Sequence, residues 1–438
     1  MLERLFGLKA RGTSVRTEVT AGITTFLTMA YIVAVNPGIL GQAGMPMAGV
    51  AAATCLSAGV ACILMGLVSN YPLAMAPGMG LNAYFTYTVV KGMGVPWQTA
   101  LGCVFISGVL FLILTLVGAR RLIVGAIPRP LFAAVAAGVG LFIAFIGLKD
   151  AGVVIADPGT TVALGDLAQP SALLFIAGLG LIAALLAWKV KGSILIGILV
   201  ITAAAWASGS VHMAPAAYSL QDLGSTAFRL DIPAALSLKS NLGLTLIEIV
   251  FVFLFVDVFD NIGTLAAVSK RAGLVAEDGT IPRLNRVLLA DSAATMLGAA
   301  AGTSTVVSYI ESASGVAAGG RTGLTSVVVG VLFLAAIAFA PLAAAIPAAA
   351  TAPALVLVGA MMMAGLGEID WEDPEIAVPA FLTVIAIPLT YSIANGLAFG
   401  IVSYAALRLV RGHARRGDWL LYVLAALFVV RFVYLAKT

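Results

Sequence analysis

The sequence has little charge, and this shortage indicates what class of protein it encodes. Only 10% of its 438 residues are Asp, Glu, Lys or Arg, while 61% are hydrophobic and the mean hydropathy is +1.09. A soluble domain has about 25% charged residues, so this chain has too little polar surface to be one. The composition therefore predicts a polytopic membrane protein that is surrounded by lipid.

Histidine and cysteine are also scarce, which argues against catalysis and metal binding. His212 and His413 are isolated and fall in connections, so neither is placed to act as a catalytic base. Cys55, Cys62 and Cys103 lie in apolar runs without metal-ligand spacing, and we expect them to be packing residues. We expect no enzyme activity, no metal and no cofactor.

Apolar runs long enough to cross a bilayer occur fourteen times. They predict an all-α protein with spans at 17–36, 48–70, 73–91, 97–118, 129–148, 171–188, 191–209, 241–269, 284–301, 303–319, 322–341, 350–366, 375–390 and 391–410. A further apolar run at 418–436 contains Arg431, and it is either an additional span or an interfacial segment.

The charged residues lie in short connections, where they predict orientation. With a cytoplasmic N-terminus, the even-numbered connections hold basic clusters such as Lys270 and Arg271, whereas the odd ones are neutral or acidic. This satisfies the positive-inside rule apart from the acidic loop 368–375, which we place inside. The net charge of +4 therefore indicates orientation in the cytoplasmic membrane rather than binding to nucleic acid. The first fifteen residues are mixed and charged, so we expect no cleavable signal peptide.

The two halves of the chain resemble each other. The segment 127–152 is similar to 346–370 in its opening Ile-Pro, its length and its terminal Gly plus charge, and 191–205 matches 395–406. Seven spans per half would put the halves in opposite orientation, which is typical of secondary carriers. The pattern predicts two inverted repeats of seven spans.

The third span of each half is a poor continuous helix. NYPLAMAPGMGLNAY at 70–84 is interrupted by proline and glycine, and GTSTVVSYIESASG at 302–315 is rich in β-branched residues. We expect each to be a short extended piece followed by a half-helix, beginning near Gly80–Asn82 and Glu311–Ser312. Irregular backbone at membrane depth is tolerated where it is buried in protein or lines a cavity. The two half-helices would point their N–H groups at a shared point.

Four acids interrupt these apolar runs: Asp257, Asp260, Asp291 and Glu311. An acid near the bilayer centre costs roughly 2.5–3.5 kcal/mol on insertion scales, so such acids usually bind a solute or relay protons. Asp257 and Asp260 are three residues apart, which predicts one helix face. Because no Lys or Arg falls in the middle of any span, we expect these acids to converge on a polar cavity rather than to form ion pairs.

The sequence allows two roles for each of three polar residues: Glu311, Asn82 and Asp291. Glu311 either binds a ligand or caps the half-helix of span 10. Asn82 lies at the analogous place in span 3, and it either binds a polar ligand or forms hydrogen bonds to the irregular backbone there. Asp291 is either part of the site or a shallower residue bonded to backbone. Acids with an amide and no basic group favour a cation or a neutral molecule rich in N–H donors, since a carboxylate accepts two parallel N–H bonds.

The sequence resembles the nucleobase transporters of the xanthine–uracil permease (nucleobase–ascorbate transporter) superfamily, and most closely the AzgA-like hypoxanthine–guanine–adenine permease branch. The similarity reaches to about residue 411, and its motifs are TEVTAGITTFLTMAYIVAVNPGIL at 17–40, PLAMAPGMGLNAYF at 72–85, FVDVFDNIGTLAAVSKRAGL at 255–274 and GTSTVVSYIESASGVAAGGRTGLTSVVVG at 302–330.

The resemblance implies a fold. Spans 1–4 (1–126) and 8–11 (241–345) would form a core domain, and spans 5–7 (127–240) and 12–14 (346–411) a gate domain. Short antiparallel strands are expected in spans 3 and 10. Residues 412–438 would be an additional apolar segment. The resemblance also implies proton-coupled uptake of purine bases by alternating access, often as a homodimer.

The resemblance also implies site residues. Asn82, Asp257 and Glu311 would contact the purine, with backbone groups around Ala83 and Ile310. We expect Asp260, Asp257 or Asp291 to take up the coupled proton, with Na⁺ as the alternative coupling ion.

Two other functions fit the sequence less well. An intramembrane aspartyl protease needs two aspartates on separate spans and a GxGD-type motif, whereas GLGE at 365–368 offers Glu368 at a membrane edge. A carrier of the same fold for anions would need a cationic residue at the convergence point. Uracil, xanthine or another small solute remains an alternative substrate within the superfamily.

Overall fold

The computed structural model describes residues 2–118, 128–209, 224–237, 243–275, 281–340, 345–414 and 418–435. His212 and the predicted domain boundaries near residues 126 and 240 lie outside these ranges. Within them the chain is helical apart from four short strands, in agreement with the predicted helical membrane fold.

The elements up to residue 209 run in this order: α1 (Leu2–Phe6), α2 (Val15–Met29), α3 (Ile32–Gly41), α4 (Met47–Ser69), β1 (Met75–Pro77), α5 (Met79–Ala83), a π-helix (Tyr84–Gly92), α6 (Trp97–Val117), α7 (Arg129–Asp150), β2 (Val154–Asp157), β3 (Thr161–Leu164), α8 (Pro170–Ala187) and α9 (Ser193–Ala207).

The remaining elements are α10 (Ile232–Ala235), α11 (Gly243–Arg271), α12 (Leu284–Ala301), β4 (Val306–Ser308), α13 (Ser312–Ala317), α14 (Gly323–Ala336), α15 (Ala348–Met362), α16 (Pro374–Leu389), α17 (Ile393–Val410) and α18 (Trp419–Leu435). Short 3₁₀ turns lie at Lys9–Arg11, Ile337–Phe339 and Met363–Glu368.

A helix, or a strand followed by a short helix, lies at each of the fourteen predicted spans. In the part of the chain that the structure describes, eight helical segments are long and apolar enough to cross a membrane: Val15–Gly41, Met47–Ser69, Trp97–Val117, Pro130–Asp150, Pro170–Ala187, Thr245–Arg271, Ala348–Glu368 and Ile393–Val410. Four shorter apolar helices lie at Ser193–Ala207, Gly323–Phe339, Pro374–Leu389 and Trp419–Val433. The total of fourteen crossings stays a prediction.

The two interrupted segments meet as a two-stranded antiparallel sheet. β1 pairs with β4 in the register Met75↔Ser308, Ala76↔Val307 and Pro77↔Val306. All residues of both strands are buried. The strands expected in spans 3 and 10 are therefore present, and each leads directly into a short helix, α5 or α13.

The open edges of this small sheet are closed by side chains. Backbone polar groups buried away from water need a partner, and a two-stranded sheet leaves half of its groups pointing outward. Met75 N and O contact Cys62 Sγ (3.1 and 3.2 Å). Pro77 O accepts from the Tyr309 hydroxyl (2.6 Å), and Ser308 N donates to Asn261 Oδ1 (3.1 Å). These contacts let extended backbone persist inside a helical protein.

Helices α4 and α14 pack against each other through glycines. A Cβ atom added at Gly66 would lie 2.4 Å from the carbonyl oxygen of Gly323, and one added at Gly330 would lie 2.5 Å from that of Gly59. Both positions would clash with backbone, so only glycine fits there. Small residues allow such close approach between helices in membranes, where it increases van der Waals contact.

A buried carboxylate joins α2 to the start of α14. Glu18 accepts hydrogen bonds from the backbone N–H groups of Arg321 (2.8 Å), Thr322 (3.3 Å) and Thr325 (3.2 Å), and from the Thr325 hydroxyl (2.6 Å). The first N–H groups of a helix have no partner within the helix, and a negative charge is favourable beside them. Glu18 therefore stabilises the N-terminus of a helix that lies about 300 residues away along the chain.

The chain folds into two compact units. Unit 1 comprises Met1–Leu116 and Leu148–Ala354, and unit 2 comprises Val117–Gly147 and Leu355–Thr438. Residues 148–209 and 224–237, which we expected in the gate domain, fall in unit 1. Core and gate domains are defined by movement during transport and not by packing, so that division stays a prediction.

Unit 2 contains a cluster of charged residues around a cavity of about 490 Å³. Glu375, near the start of α16, lies 2.8 Å from His413 Nδ1, 3.5 Å from Arg411 and 3.9 Å from Arg408. Arg408 also forms an ion pair with Asp418 (3.1 Å), just before α18. The predicted C-terminal apolar segment is helical, and it packs against α17, where Arg431 donates to Asn395 Oδ1 (2.9 Å).

Candidate functional site

Helix α11 carries three polar side chains near its middle: Asp257, Asp260 and Asn261. With 3.6 residues per turn, Asn261 lies almost directly above Asp257, whereas Asp260 is rotated by roughly 60° from it. Asp257 and Asn261 are buried, and Asp260 is partly exposed. The helix therefore presents its acids to two different surroundings.

Asn261 lies between two carboxylates. Its Nδ2 donates to Asp257 Oδ1 (2.9 Å), to the backbone oxygen of Asp257 (3.0 Å) and to Asp291 Oδ2. Its Oδ1 accepts from the backbone N–H of Ser308 (3.1 Å). One amide thus links α11, α12 and β4.

Two hydroxyl groups complete this cluster. Thr295 Oγ1 donates to Asp257 Oδ2 (2.9 Å), and Ser308 Oγ donates to Asp291 Oδ1 (3.4 Å). We call these five residues (Asp257, Asn261, Asp291, Thr295 and Ser308) the Asn261 network. Each of its four carboxylate oxygens has a donor inside the protein, so a ligand that bound here would have to displace an existing contact.

Glu311 belongs to a different cluster. It lies directly before α13, and its Oε1 accepts a hydrogen bond of 2.6 Å from the hydroxyl of Tyr31. Asp260 interacts electrostatically with Glu311, and Tyr309 interacts with both acids. We call Tyr31, Asp260, Tyr309 and Glu311 the Glu311 group.

The Glu311 group has acceptor atoms to spare. Among the residues that the structure describes, no side chain donates to the Asp260 carboxylate or to Glu311 Oε2, and no Lys, Arg or His forms an ion pair with either acid. A carboxylate oxygen to which no side chain donates can accept a hydrogen bond from the N–H group of a partner. This arrangement can bind a cation or a neutral molecule rich in N–H donors.

Asn82 lies in a third cluster that is fully buried. Its Nδ2 donates to Asn36 Oδ1 (2.6 Å), and its Oδ1 accepts from the Ser304 hydroxyl. Asn36 Nδ2 in turn donates to Thr54 Oγ1 (2.7 Å) and Thr303 Oγ1 (2.9 Å). We call these five residues the Asn82 network, and it ties α3, α4 and α5 to the segment before β4. The contact between Asn82 and a purine stays a prediction.

The other predicted residues lie next to these clusters. Ala83 is buried at the end of α5, and Ile310, directly before Glu311, is 45% exposed. Glu368 of the protease-like motif is exposed at the end of a 3₁₀ turn. Within the described ranges, no group of three or more His, Cys, Asp or Glu side chains is arranged to hold a metal ion.

Sequence reasoning overlooked several members of these clusters. Asn36 was not singled out, although an amide before Pro37 in an apolar run was a visible signal. Tyr31 carried no signal for its role, because nothing in the local sequence shows that its hydroxyl contacts Glu311. Thr295 carried no signal, because a threonine in a membrane helix is common and its partner lies 38 residues away.

The chain matches a known protein family over most of its length. The model of the Permease family (Xan_ur_permease) matches residues 16–399. The adenine permease AdeP of Escherichia coli (strain K12) is 42% identical over 435 residues, which are 99% of this chain and 96% of that protein. The guanine/hypoxanthine permease PbuG of Bacillus subtilis (strain 168) is 43% identical over an alignment of 445 positions, gaps included, which covers 99% of this chain and 100% of that protein.

Solved structures show similarity in fold. The transmembrane domain of a cyanobacterium bicarbonate transporter, BicA, superposes with a TM-score of 0.63 over 89% of this chain and 97% of that chain. The two sequences are only 14% identical, so the similarity concerns the fold alone.

Proposed function

Because this chain belongs to the Permease family, we propose that it carries purine nucleobases (adenine, guanine or hypoxanthine) across the membrane. A permease moves its solute without changing it, so the chain is a transporter and not an enzyme. The similarity to an adenine permease and to a guanine/hypoxanthine permease over nearly the full chain supports purines as the substrate class.

The Glu311 group is the observation that carries this proposal. A purine has N–H donors along its edge, and Glu311 Oε2 and the Asp260 carboxylate are acceptors to which no described side chain donates. We place Asp260, rather than Asp257, against the purine because Asn261 and Thr295 occupy the oxygens of Asp257. Asn82 and the backbone near Ala83 and Ile310 complete the proposed contacts.

Uptake would be coupled to a proton, which binds either Asp260 or a carboxylate of the Asn261 network. Two carboxylates that share one amide are unfavourable when both are charged, so Asp257 and Asp291 are suited to hold a proton between them. Coupling needs only that the proton binds the purine-loaded state more tightly, and about 1–3 kcal/mol is typical. Na⁺ is the alternative coupling ion.

The architecture that goes with this function has fourteen spans in two inverted repeats, with core and gate domains that alternate access across the cytoplasmic membrane. The N-terminus would lie in the cytoplasm, and two chains would form a homodimer in the lipid. Labelling of single cysteines tests the orientation. A membrane-impermeant maleimide should label Thr160→Cys in intact cells and Ala414→Cys only after the cells are opened, and the reverse pattern would invert the topology.

Uptake in a bacterial strain that lacks its own purine carriers tests the substrate. Cells that express the chain should accumulate radiolabelled adenine, guanine or hypoxanthine, and an uncoupler should abolish the accumulation. Uptake of uracil or xanthine in preference to these purines would select the alternative substrates. Competition by sulfate or bicarbonate, with no purine uptake, would contradict the proposal and favour an anion carrier.

A further inference from the structure

Tyr31 lies at a break in the first predicted span. α2 ends at Met29 and α3 begins at Ile32, so Tyr31 occupies the short connection between them, and its side chain is completely buried. A tyrosine hydroxyl that is buried usually needs a hydrogen-bond partner. Tyr31 therefore places a hydroxyl donor in the interior of unit 1.

The partner of this hydroxyl is a carboxylate and not backbone. The Tyr31 hydroxyl donates to Glu311 Oε1 over 2.6 Å, and the two residues are 280 positions apart in the chain. A hydrogen bond from a hydroxyl to a carboxylate at this length is charge-assisted and stronger than one between neutral groups. It fixes the rotation of the Glu311 side chain, which would otherwise turn freely about its terminal bonds.

Tyr31 occupies only one of the two Glu311 oxygens. In the described part of the chain, no side chain donates to Oε2, and the acid nearby, Asp260, offers only acceptors when it is charged. An N–H group of a ligand therefore meets a carboxylate whose plane is already set. Binding then costs less side-chain entropy than it would with a mobile glutamate.

We propose that Tyr31 is a positioning residue for purine recognition: its hydroxyl holds Glu311 Oε1 so that Oε2 faces the N–H edge of the base. This inference rests on the proposed function, since it assumes that a purine binds at the Glu311 group. It assigns to the first predicted span a part in recognition that acts through Glu311 and not through direct contact with the purine.

Tyr71 provides a matched control. Its side chain is also buried, and its hydroxyl also donates over 2.6 Å, but the acceptor is the backbone oxygen of Pro282. Tyr71→Phe and Tyr31→Phe remove the same atom and a hydrogen bond of the same length. Only Tyr31→Phe releases a carboxylate of the Glu311 group.

The test measures adenine, guanine and hypoxanthine binding to the purified full-length protein, together with its unfolding temperature. Tyr31→Phe should raise the purine Kd about 3- to 10-fold, the range expected when binding has to immobilise a side chain that was held in place before. Tyr71→Phe should leave the Kd within about twofold of the wild type, although both variants should lower the unfolding temperature. An unchanged Kd in Tyr31→Phe would overturn the proposal, as would an equal rise in Tyr71→Phe.

A double-mutant cycle tests whether Tyr31 acts through Glu311. In the Glu311→Gln background, measured at millimolar purine so that weak binding stays visible, adding Tyr31→Phe should change the Kd less than about twofold. The same large effect in both backgrounds would mean that Tyr31 acts independently of Glu311. A wild-type protein that binds no purine at all would instead contradict the proposed function, so the two failures are distinguishable.

Discussion

The Asn261 network and the Glu311 group each contain two acids, but they treat their carboxylates differently. In the Asn261 network, Asn261, Thr295 and Ser308 supply a donor to each oxygen of Asp257 and Asp291. In the Glu311 group, the one side-chain hydrogen bond to the two acids among the described residues comes from Tyr31. Two acids three residues apart on α11 thus end in different surroundings.

This difference separates two ways in which a membrane protein can carry acids in its interior. A carboxylate that is surrounded by internal donors holds helices and strands together, and its contribution is measured as free energy of unfolding. A carboxylate whose oxygens have no internal donor is unfavourable until it binds a ligand or a proton, and its contribution is measured as the free energy of that binding. The predictions below test this division, from the largest expected effect to the smallest.

Loss of Asn261 should have the largest effect. Asn261→Leu removes a donor to Asp257 and Asp291 and an acceptor for Ser308 N, so it leaves buried charge with less compensation. We expect a loss of about 3–5 kcal/mol in the free energy of unfolding. Fluorescence-detected size-exclusion chromatography of detergent extracts would report this as aggregated or absent protein. A well-folded variant with normal unfolding temperature would show that the amide does not support the network.

Loss of charge at Glu311 should affect binding and leave the fold intact. Glu311→Gln keeps an oxygen that can accept from Tyr31 but loses the negative charge, so the purine Kd should rise about 100-fold, equivalent to about 2.7 kcal/mol. Asp291→Asn should change the Kd less than about threefold. Calorimetric titration of the purified variants measures both, with the exposed residue change Glu368→Gln as a control. A larger effect of Asp291→Asn would reverse our division.

In the Asn82 network, the same comparison between stability and binding can be made with uncharged side chains. Asn82→Ala and Asn36→Ala each remove amide hydrogen bonds from a buried cluster, and each should cost about 1–3 kcal/mol of stability. If Asn82 also contacts the purine, Asn82→Ala should raise the Kd while Asn36→Ala should not. Equal unfolding temperatures and equal Kd values for the two variants would assign Asn82 to structure alone.

Asp373, which we predict to lie outside the membrane, should give the smallest effect. The Asp373 side chain accepts from the backbone N–H of Glu375 and pairs with Arg411, and these contacts lower the pKa of Asp373. A lowered pKa in the folded state stabilises the protein above the ordinary pKa of 3.8, and this contribution is lost as the pH falls through the lowered value.

Asp373→Asn should therefore lower the unfolding temperature slightly at neutral pH, and the effect should disappear once the pH falls below the lowered pKa of Asp373. Purine uptake should be unchanged. Differential scanning fluorimetry across the pH range measures the first effect. A change in uptake would mean that this surface cluster influences transport.

Much of the fold was predictable because membrane helices depend on a strong local signal. Apolar length located the helices, and the prolines and glycines around Pro77, together with the β-branched residues around Val306, predicted two short extended pieces. Their pairing as antiparallel strands was expected from the family resemblance. The clusters were less accessible, because they depend on which helix packs against each face. A spacing of three residues suggested one common face for Asp257 and Asp260, but a rotation of roughly 60° is enough to give each acid a different neighbour.

Contacts between residues that are far apart in the sequence were also not predictable. Asn36 and Asn82 are 46 positions apart and Tyr31 and Glu311 are 280 apart, and no local pattern connects them. Cys62 was expected only to pack, and its sulfur also contacts both backbone groups of Met75. Such contacts follow from the way in which β1 and β4 meet, which the sequence indicates only in outline.

The glycine contacts between α4 and α14 restrict how this protein can move. Backbone lies against backbone at two levels, Gly66 with Gly323 and Gly59 with Gly330. A slide of one helical turn, about 5.4 Å, would bring larger side chains to places that only a hydrogen atom fits. We therefore expect α4 and α14 to move together as one rigid body. A rearrangement that opens a path for the solute would then occur at contacts between other helices.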